Sequence, residues 1–332
     1  MEVKFLKAGR GDAILVSSNK EHMLVDGGDD SNELLLELDE IHKRKETLKY
    51  LIITHHDSDH IAGILHIMDE LESGRYGKPN LFIQKLLFNS PNLLKKTKDD
   101  EKKSIDKKAN NNLSYKQAFT VEERARMLEI QCDLVYDTKN RQLNLGEVII
   151  DCLSPNLNIL ENYLKKTPEK YLLSKSKGDW GKSLSELVHY ATDQSLDNSK
   201  ANETSVVLLI KHQNKKGLLT GDVTPKRLKE IVDFLFLEND KKRVQLDFIK
   251  LPHHGSSRSV SREILSKLSC KEYIITTNGQ NNFLPNKKVI LKIHDSHDKK
   301  VGKIKLKFNY PELVKKLNIS ETEMKNYDLE IH

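Results

Sequence analysis

The chain has 332 residues, 37% hydrophobic and 31% charged, with eight prolines and a formal net charge of +6. That suits a soluble, lysine-rich globular protein of one large or two ordinary domains. Three widely spaced cysteines, Cys132, Cys152 and Cys270, suggest neither a disulfide framework nor a zinc knuckle and read as buried thiols of a reducing cytoplasm. No run reaches the roughly 18 apolar residues of a membrane span, and Met1–Phe5 opens without the apolar core of a signal peptide.

In chain order, Val3–Leu6, Ala13–Val16 and Met23–Val25 read as strands, the first two joined by a Gly9-Arg10-Gly11-Asp12 turn. That turn lacks the Gly-Lys-Ser/Thr ending and the following helix of a phosphate loop. Ser31–Arg44 is an amphipathic helix with Ser31 as N-cap and Leu34, Leu35, Leu38 and Ile41 on one face. The apolar run Tyr50–Ile53 is a buried strand, and Ile61–Leu71 a helix whose small Ala62 and Gly63 permit close approach. Phe82–Phe88, Leu134–Tyr136 and Val148–Ile150 read as strands, and Phe119–Ile130 as a helix. Polar insertions are expected at about 89–118 and 155–200; Trp180 in the second is a packing anchor or a base-stacking platform. Strands follow at Val206–Ile210, Gly217–Thr220, Phe248–Pro252 and Tyr273–Thr277, with helices at Pro225–Leu237 and Ser261–Leu268. Residues 1–300 form the main domain, and 301–332 a C-terminal extension mixing a lysine-rich strand with a polar helix.

Chemistry concentrates in Thr54-His55-His56-Asp57-Ser58-Asp59-His60, directly after a buried strand. An apolar core cannot leave such a set unpaired, and a cation resolves it. His55 and Asp57 would serve one ion, Asp59 and His60 a second. Asp26, ending a strand beside Gly27 and Gly28, is either an orienting carboxylate behind the ligands or a plain turn residue. Asp222 and His253-His254 also sit just after strands, where α/β folds keep their chemistry.

Five segments then follow one another: Gly9–Val16, Val25–Gly28, Thr54–Gly63, Leu218–Asp222 and Leu251–Ser256. In that order they resemble the metallo-β-lactamase superfamily, and within it the hydrolase domain attached to the ComEC/Rec2 competence channel. The resemblance implies an α/β fold, an αββα sandwich, with a two-metal site along one edge. It implies His55 and Asp57 on one metal, Asp59 and His60 on the other, Asp222 bridging both and His254 completing the second. His253 would face substrate. The sequence departs from the pattern at Asn202, where many relatives place a histidine, and at Leu284-Pro285, where competence-type relatives carry His-Pro. Asp57 and Asn202, standing for histidines, argue against a β-lactam substrate.

Two divalent ions against the three carboxylates of that set leave +1, which favours an anionic substrate. Metal-bound water has its pKa lowered to about 7, and paired ions about 3.5–4 Å apart steady both oxygens of a phosphodiester. Oxygen at Asp57 tilts the preference toward manganese or magnesium, with zinc still admitted. Asp59 and His253 are the catalytic candidates. Lys250 is a further phosphate contact only if its side chain does not face away from the site. His294 and His297 are candidates for the missing imidazole.

Charge is uneven along the chain. Lys85–Lys116 holds nine lysines and four acidic residues, Lys287–Lys316 ten and three. Two basic stretches fit either sequence-independent DNA binding or a merely lysine-rich surface. The leading reading is a cytoplasmic, metal-dependent phosphodiesterase acting on DNA, with antiviral defence as a plausible setting by analogy. The alternatives are hydrolysis of a small phosphodiester or phosphorylcholine ester, and a non-enzymatic subunit docking a partner such as an ATPase.

Overall fold

The structure, a computed structural model, describes residues 1–96, 113–137, 142–164, 178–280 and 283–332. The chain divides into two compact units, Met1–Leu173 and Ser174–His332. Each carries a sheet flanked by helices, the layers an αββα architecture requires.

The first unit lays six strands side by side in chain order: β1 (Glu2–Phe5), β2 (Ile14–Ser18), β3 (Glu21–Val25), β4 (Thr47–Ile53), β5 (Lys85–Phe88) and β6 (Gln131–Asp133). β1 to β3 are antiparallel neighbours; β3 to β6 run parallel. Parallel strands need crossover helices, and three cover one face: Asn32–Lys43, Ser58–Glu72 and Leu113–Met127. Their stripes, Leu34-Leu38-Ile41, Ile61-Ile64-Ile67-Met68-Leu71 and Val121-Ala125, pack with Leu15, Leu24, Leu51, Ile53, Leu86 and Phe88 of the sheet in one core. Each such aliphatic side chain contributes about 1.5–3 kcal/mol. Leu51, Ile52 and Ile53 are all fully buried, the mark of a parallel strand covered on both faces. An antiparallel pair, β7 (Gln142–Leu145) and β8 (Val148–Ser154), completes the strands of this unit.

Two strands expected here fall elsewhere. Pro79 starts a helical turn, Pro79–Phe82, that trims the expected strand 82–88 to 85–88. The apolar run Leu134–Tyr136 lies past β6: the Val135 N–H donates to Asn89 Oδ1 at 3.0 Å, and Asn89 Nδ2 donates back to the Val135 carbonyl at 2.6 Å. An amide side chain there takes the place of a strand neighbour. The first insertion begins as a short helix, Pro91–Lys96, and most of its lysines lie outside the described residues.

In the second unit β9 (Val207–His212) and β10 (Lys215–Leu219) form an antiparallel hairpin. From β10 the sheet runs parallel through β11 (Val244–Lys250), β12 (Leu268–Ile275), β13 (Ile304–Phe308) and β14 (Leu329–Ile331). Helices Pro225–Glu238, Arg262–Ser266 and Lys287–Ser296 serve the crossovers. Trp180 is a packing anchor: its indole N–H donates to the Pro285 carbonyl at 2.8 Å and its ring meets Phe283 edge-on. No helix among the described residues is long and apolar enough to cross a membrane.

Candidate metal centre

In the first unit the expected ligands leave the carboxyl end of β4. Asp57 is the N-cap residue of helix Ser58–Glu72, so Asp59 and His60 lie in its first turn. Two close approaches fix that turn. A Cβ on Gly63 would sit 1.9 Å from the Gly27 carbonyl oxygen, and the Gly63 N–H donates to Gly28 O at 2.8 Å. A Cβ on Gly11 would fall 1.6 Å from the Asp59 carbonyl oxygen. Only glycine lets the 9–12 turn and the 26–28 turn reach the helix start.

Asp26 organises the donors. It is fully buried and left-handed at φ 60°, a conformation costing about 1–3 kcal/mol in a non-glycine residue. Its Oδ1 accepts the Thr54 N–H at 2.7 Å. Its Oδ2 accepts the Thr54 hydroxyl at 2.7 Å and His60 Nδ1–H at 2.8 Å. Of the two readings of Asp26, the orienting carboxylate is the one these bonds describe. The Thr54 hydroxyl, its proton spent on Asp26, accepts from His55 Nδ1–H at 3.1 Å. Both imidazoles are thus fixed as Nδ1–H tautomers with Nε2 as the ligand-competent nitrogen. Their rings lie 4.3 Å apart, and His55 Nε2 is buried without a hydrogen-bond partner, 3.7 Å from Asp57 Oδ2. Burial pushes the Asp57 carboxyl up, but His55 outweighs it and holds the group below its ordinary range. His56 points elsewhere: its Nε2 lies 2.7 Å from the Tyr163 hydroxyl, and burial pushes its pKa down to about 4, so the ring stays neutral at pH 7.

In the second unit Asp222 follows β10, and His253 and His254 follow β11. Pro252–Gly255 turns with His253, His254 and Gly255 all left-handed, at φ 49°, 54° and 81°. The two histidines are strained there, as backbone at functional sites often is, while Gly255 adopts the conformation without penalty. The turn is pinned from outside: Gly255 faces Pro285, Asn286 N–H donates to Gly255 O at 3.1 Å, and Asn286 Oδ1 accepts the Ser257 N–H at 2.9 Å. His254 Nδ1–H donates to the Thr276 carbonyl at 2.8 Å, again making Nε2 the ligand-competent nitrogen, 3.6 Å from Asp222 Oδ2. His253 is about one-third exposed, with Nε2 3.9 Å from Asp222 Oδ2 and Nδ1 3.8 Å from Asp197 Oδ2. Burial lowers His253, but the Asp222 and Asp197 carboxylates raise it overall above its ordinary value.

Lys250 does not face away. It is fully buried, its ammonium donates to Gly221 O at 3.0 Å and lies 3.6 Å from Asp222 Oδ1. Its four-carbon stem carries the charge back to the end of the neighbouring strand β10, so a strand position beside the site does not here send its charge outward. Asn202 is buried, donates to Asp197 Oδ2 at 2.8 Å, and presents an Oδ1 with no hydrogen-bond partner. Asp197 was not anticipated, because it lies in a polar stretch that reads as solvated loop. His294 and His297 are engaged elsewhere: His294 packs edge-on against Tyr327, and His297 Nε2–H donates to Gly302 O at 2.8 Å. The basic segment 287–316 is also less exposed than its composition suggests. Lys287 and Lys292 are buried, donating to Lys182 O at 2.6 Å and to Ser257 O at 2.6 Å.

Imidazoles held by acceptors at Nδ1, carboxylates beside them and a buried Nε2 lacking a hydrogen bond fit divalent cations and fit little else. The fold and this donor chemistry define an α/β protein, its two sheets flanked by helices, with His/Asp clusters that could hold metal ions. The recognition made on the motifs is borne out, for the model of the metallo-beta-lactamase superfamily matches residues 6–80. Among curated proteins the chain is similar to ComE operon protein 3 of Bacillus subtilis, 26% identical over 103 residues, 31% of this chain and 12% of that protein. The match thus spans about an eighth of the relative's length. Among solved structures it is similar to the metallo-beta-lactamase fold protein YhfI of Bacillus subtilis. The two are 11% identical with a TM-score of 0.46, covering 92% of this chain and 95% of that one. Zn(2+)-bound PqqB of Methylobacterium extorquens is 11% identical with a TM-score of 0.42, covering 97% and 85%.

Proposed function

We propose that the protein is a metal-dependent phosphodiester hydrolase acting on DNA. In the first unit His55 and Asp57 would hold one ion and Asp59 and His60 the other; Asp222 and His254 of the second unit are the further ligand candidates that the motif resemblance implies. The observation that carries this reading is the tautomer lock: a carboxylate, a hydroxyl and a backbone carbonyl each take an Nδ1 proton, from His60, His55 and His254. A pair of divalent ions held there supplies Lewis acidity toward a phosphoryl oxygen and lowers the pKa of water. The chain's own groups do the rest. Asp26 and Thr54 hold the imidazoles in register. Asp59 takes the proton of the attacking water. His253, raised by its two carboxylate neighbours, donates to the leaving oxygen. Oxygen-rich coordination favours Mn²⁺, with Zn²⁺ and Mg²⁺ as alternatives. The resemblance of the motifs to the competence-channel hydrolase domain supports nucleic acid as the substrate class, and exposed lysines such as Lys299, Lys300 and Lys303 would meet its backbone.

The test is incubation of purified protein with single- and double-stranded DNA and RNA and with a small phosphodiester, each with Mn²⁺, Mg²⁺ and Zn²⁺. DNA cleavage by the wild type, abolished in the soluble double variant Asp59→Ala/His60→Ala, is the expected result. Cleavage of the small phosphodiester alone assigns the smaller substrate, and full activity in the double variant overturns the mechanism.

A further inference from the structure

The Gly9–Asp12 turn carries no phosphate-loop chemistry, yet it ends in a buried carboxylate beside the metal motif. Asp12 is 1% exposed. Its carboxylate, an Asp26 oxygen and a His60 nitrogen all lie within 4.8 Å of one another. We infer that Asp12 is a further metal ligand, an oxygen donor to the ion that His60 holds. The inference rests on the metal-dependent reading above and adds to its ligand set a residue outside the His-rich motif.

Three observations carry it. First, of the two neighbouring carboxylates, Asp26 already accepts three protons, from the Thr54 N–H, the Thr54 hydroxyl and His60 Nδ1–H. Asp26 therefore orients, and Asp12 is the second buried carboxylate within reach of His60. Second, the placement of Asp12 is built in. Gly11 abuts the Asp59 carbonyl with no room for a side chain, and Arg10 N–H donates to Asp29 Oδ1 at 2.7 Å, so the turn is clamped on both sides of the helix start. Third, His55 Nε2 is buried in the same ligand turn without a hydrogen-bond partner, and its ring stands 4.3 Å from that of His60. A buried imidazole nitrogen of that kind next to like-charged carboxylates calls for a cation. An added oxygen ligand hardens the site toward Mn²⁺.

The experiment measures metal content and affinity of wild type, Asp12→Asn and Asp12→Glu, with circular dichroism as the check on folding. Visible absorption of the cobalt-substituted proteins reports the ligand field independently of activity. Wild type should bind two ions. Asp12→Asn should lose one of them, or hold it at least tenfold more weakly, with an altered cobalt spectrum and an unchanged fold. Asp12→Glu keeps the charge but displaces the oxygens by a methylene, so it should retain both ions with a shifted cobalt spectrum; it supplies the answer if the asparagine variant does not fold. Wild-type constants and spectra in both variants would overturn the assignment while leaving the two-ion reading intact. A wild type that binds no ion would overturn that reading and Asp12 with it.

Discussion

Replacing Asp26 by asparagine perturbs the centre while leaving every proposed ligand in place. The carboxylate accepts at both oxygens, from Thr54 N–H at one and from the Thr54 hydroxyl and His60 Nδ1–H at the other. An amide can accept on one side only. With its NH₂ toward the Thr54 N–H, two donors meet at 2.7 Å. Turned the other way, the NH₂ faces His60 Nδ1, which can accept only by moving its own proton to Nε2, where the cation has to bind. Loss of such an orienting carboxylate typically weakens metal binding 10–100-fold, about 1.4–2.8 kcal/mol. The metal-free protein should lose about 1–3 kcal/mol for the mismatched buried donor. Competition of Mn²⁺ or Zn²⁺ against a chromophoric chelator measures the first number, and urea denaturation in a chelator the second. A variant that binds metal as tightly as wild type would show that the Asp26–His60 bond does not set the ligand tautomer.

Two further outcomes concern the second unit. Lys292 is fully buried, with its ammonium 2.6 and 3.0 Å from the Ser257 and Val260 carbonyls and 2.9 Å from Asp193. Lys292→Met strands those three acceptors at a cost of about 3 kcal/mol, the low end for a broken buried ion pair because the ammonium's own desolvation is recovered. At this unit's size that lowers Tm by about 6–12 °C, which calorimetry reads; a drop under about 2 °C would refute it. Glu323 accepts the Leu184 N–H at 2.6 Å and caps helix Glu321–Asn326 through Ser320. Burial alone would raise its carboxyl, but the Leu184 and Ser320 groups hold it below its ordinary 4.5. A lowered folded-state pKa gives stability that is present above the unfolded value and lost as pH falls through the folded one. Glu323→Gln should therefore be less stable than wild type at pH 7, and the gap should narrow as pH falls below the ordinary 4.5 and through the lowered folded-state value. A gap independent of pH would show that the charge is not what matters.

The motif 54–60 was legible because its ligands are contiguous and follow an apolar strand, so one short window carries both fold and chemistry. Asp12 was not. Its segment carries one of the resemblance motifs but gives Asp12 no role of its own, and the signal that could have found it is Gly11, whose close approach to Asp59 exists only in three dimensions. Lys250 escaped because alternation along a strand says which way a Cβ points, not where a long stem ends. The run 134–136 looked like a strand because its residues are apolar, yet the partner that satisfies it is Asn89, 46 positions away. Composition likewise counts every lysine as surface charge, although Lys250, Lys287 and Lys292 serve as internal struts.

The last strands of the sheet bear on when the centre can mature during synthesis. His254 takes its orientation from the Thr276 carbonyl just past β12, and Asn309, just past β13, accepts the Thr277 N–H at 3.1 Å. A nascent polypeptide that has emerged only as far as residue 300 already displays every ligand proposed here. It still leaves β12 as an open edge, with no neighbour to steady the carbonyl that sets His254. Emergence of β13 supplies that neighbour, so full metal affinity should arrive only after residues 304–308 have emerged and paired, well after the motifs themselves.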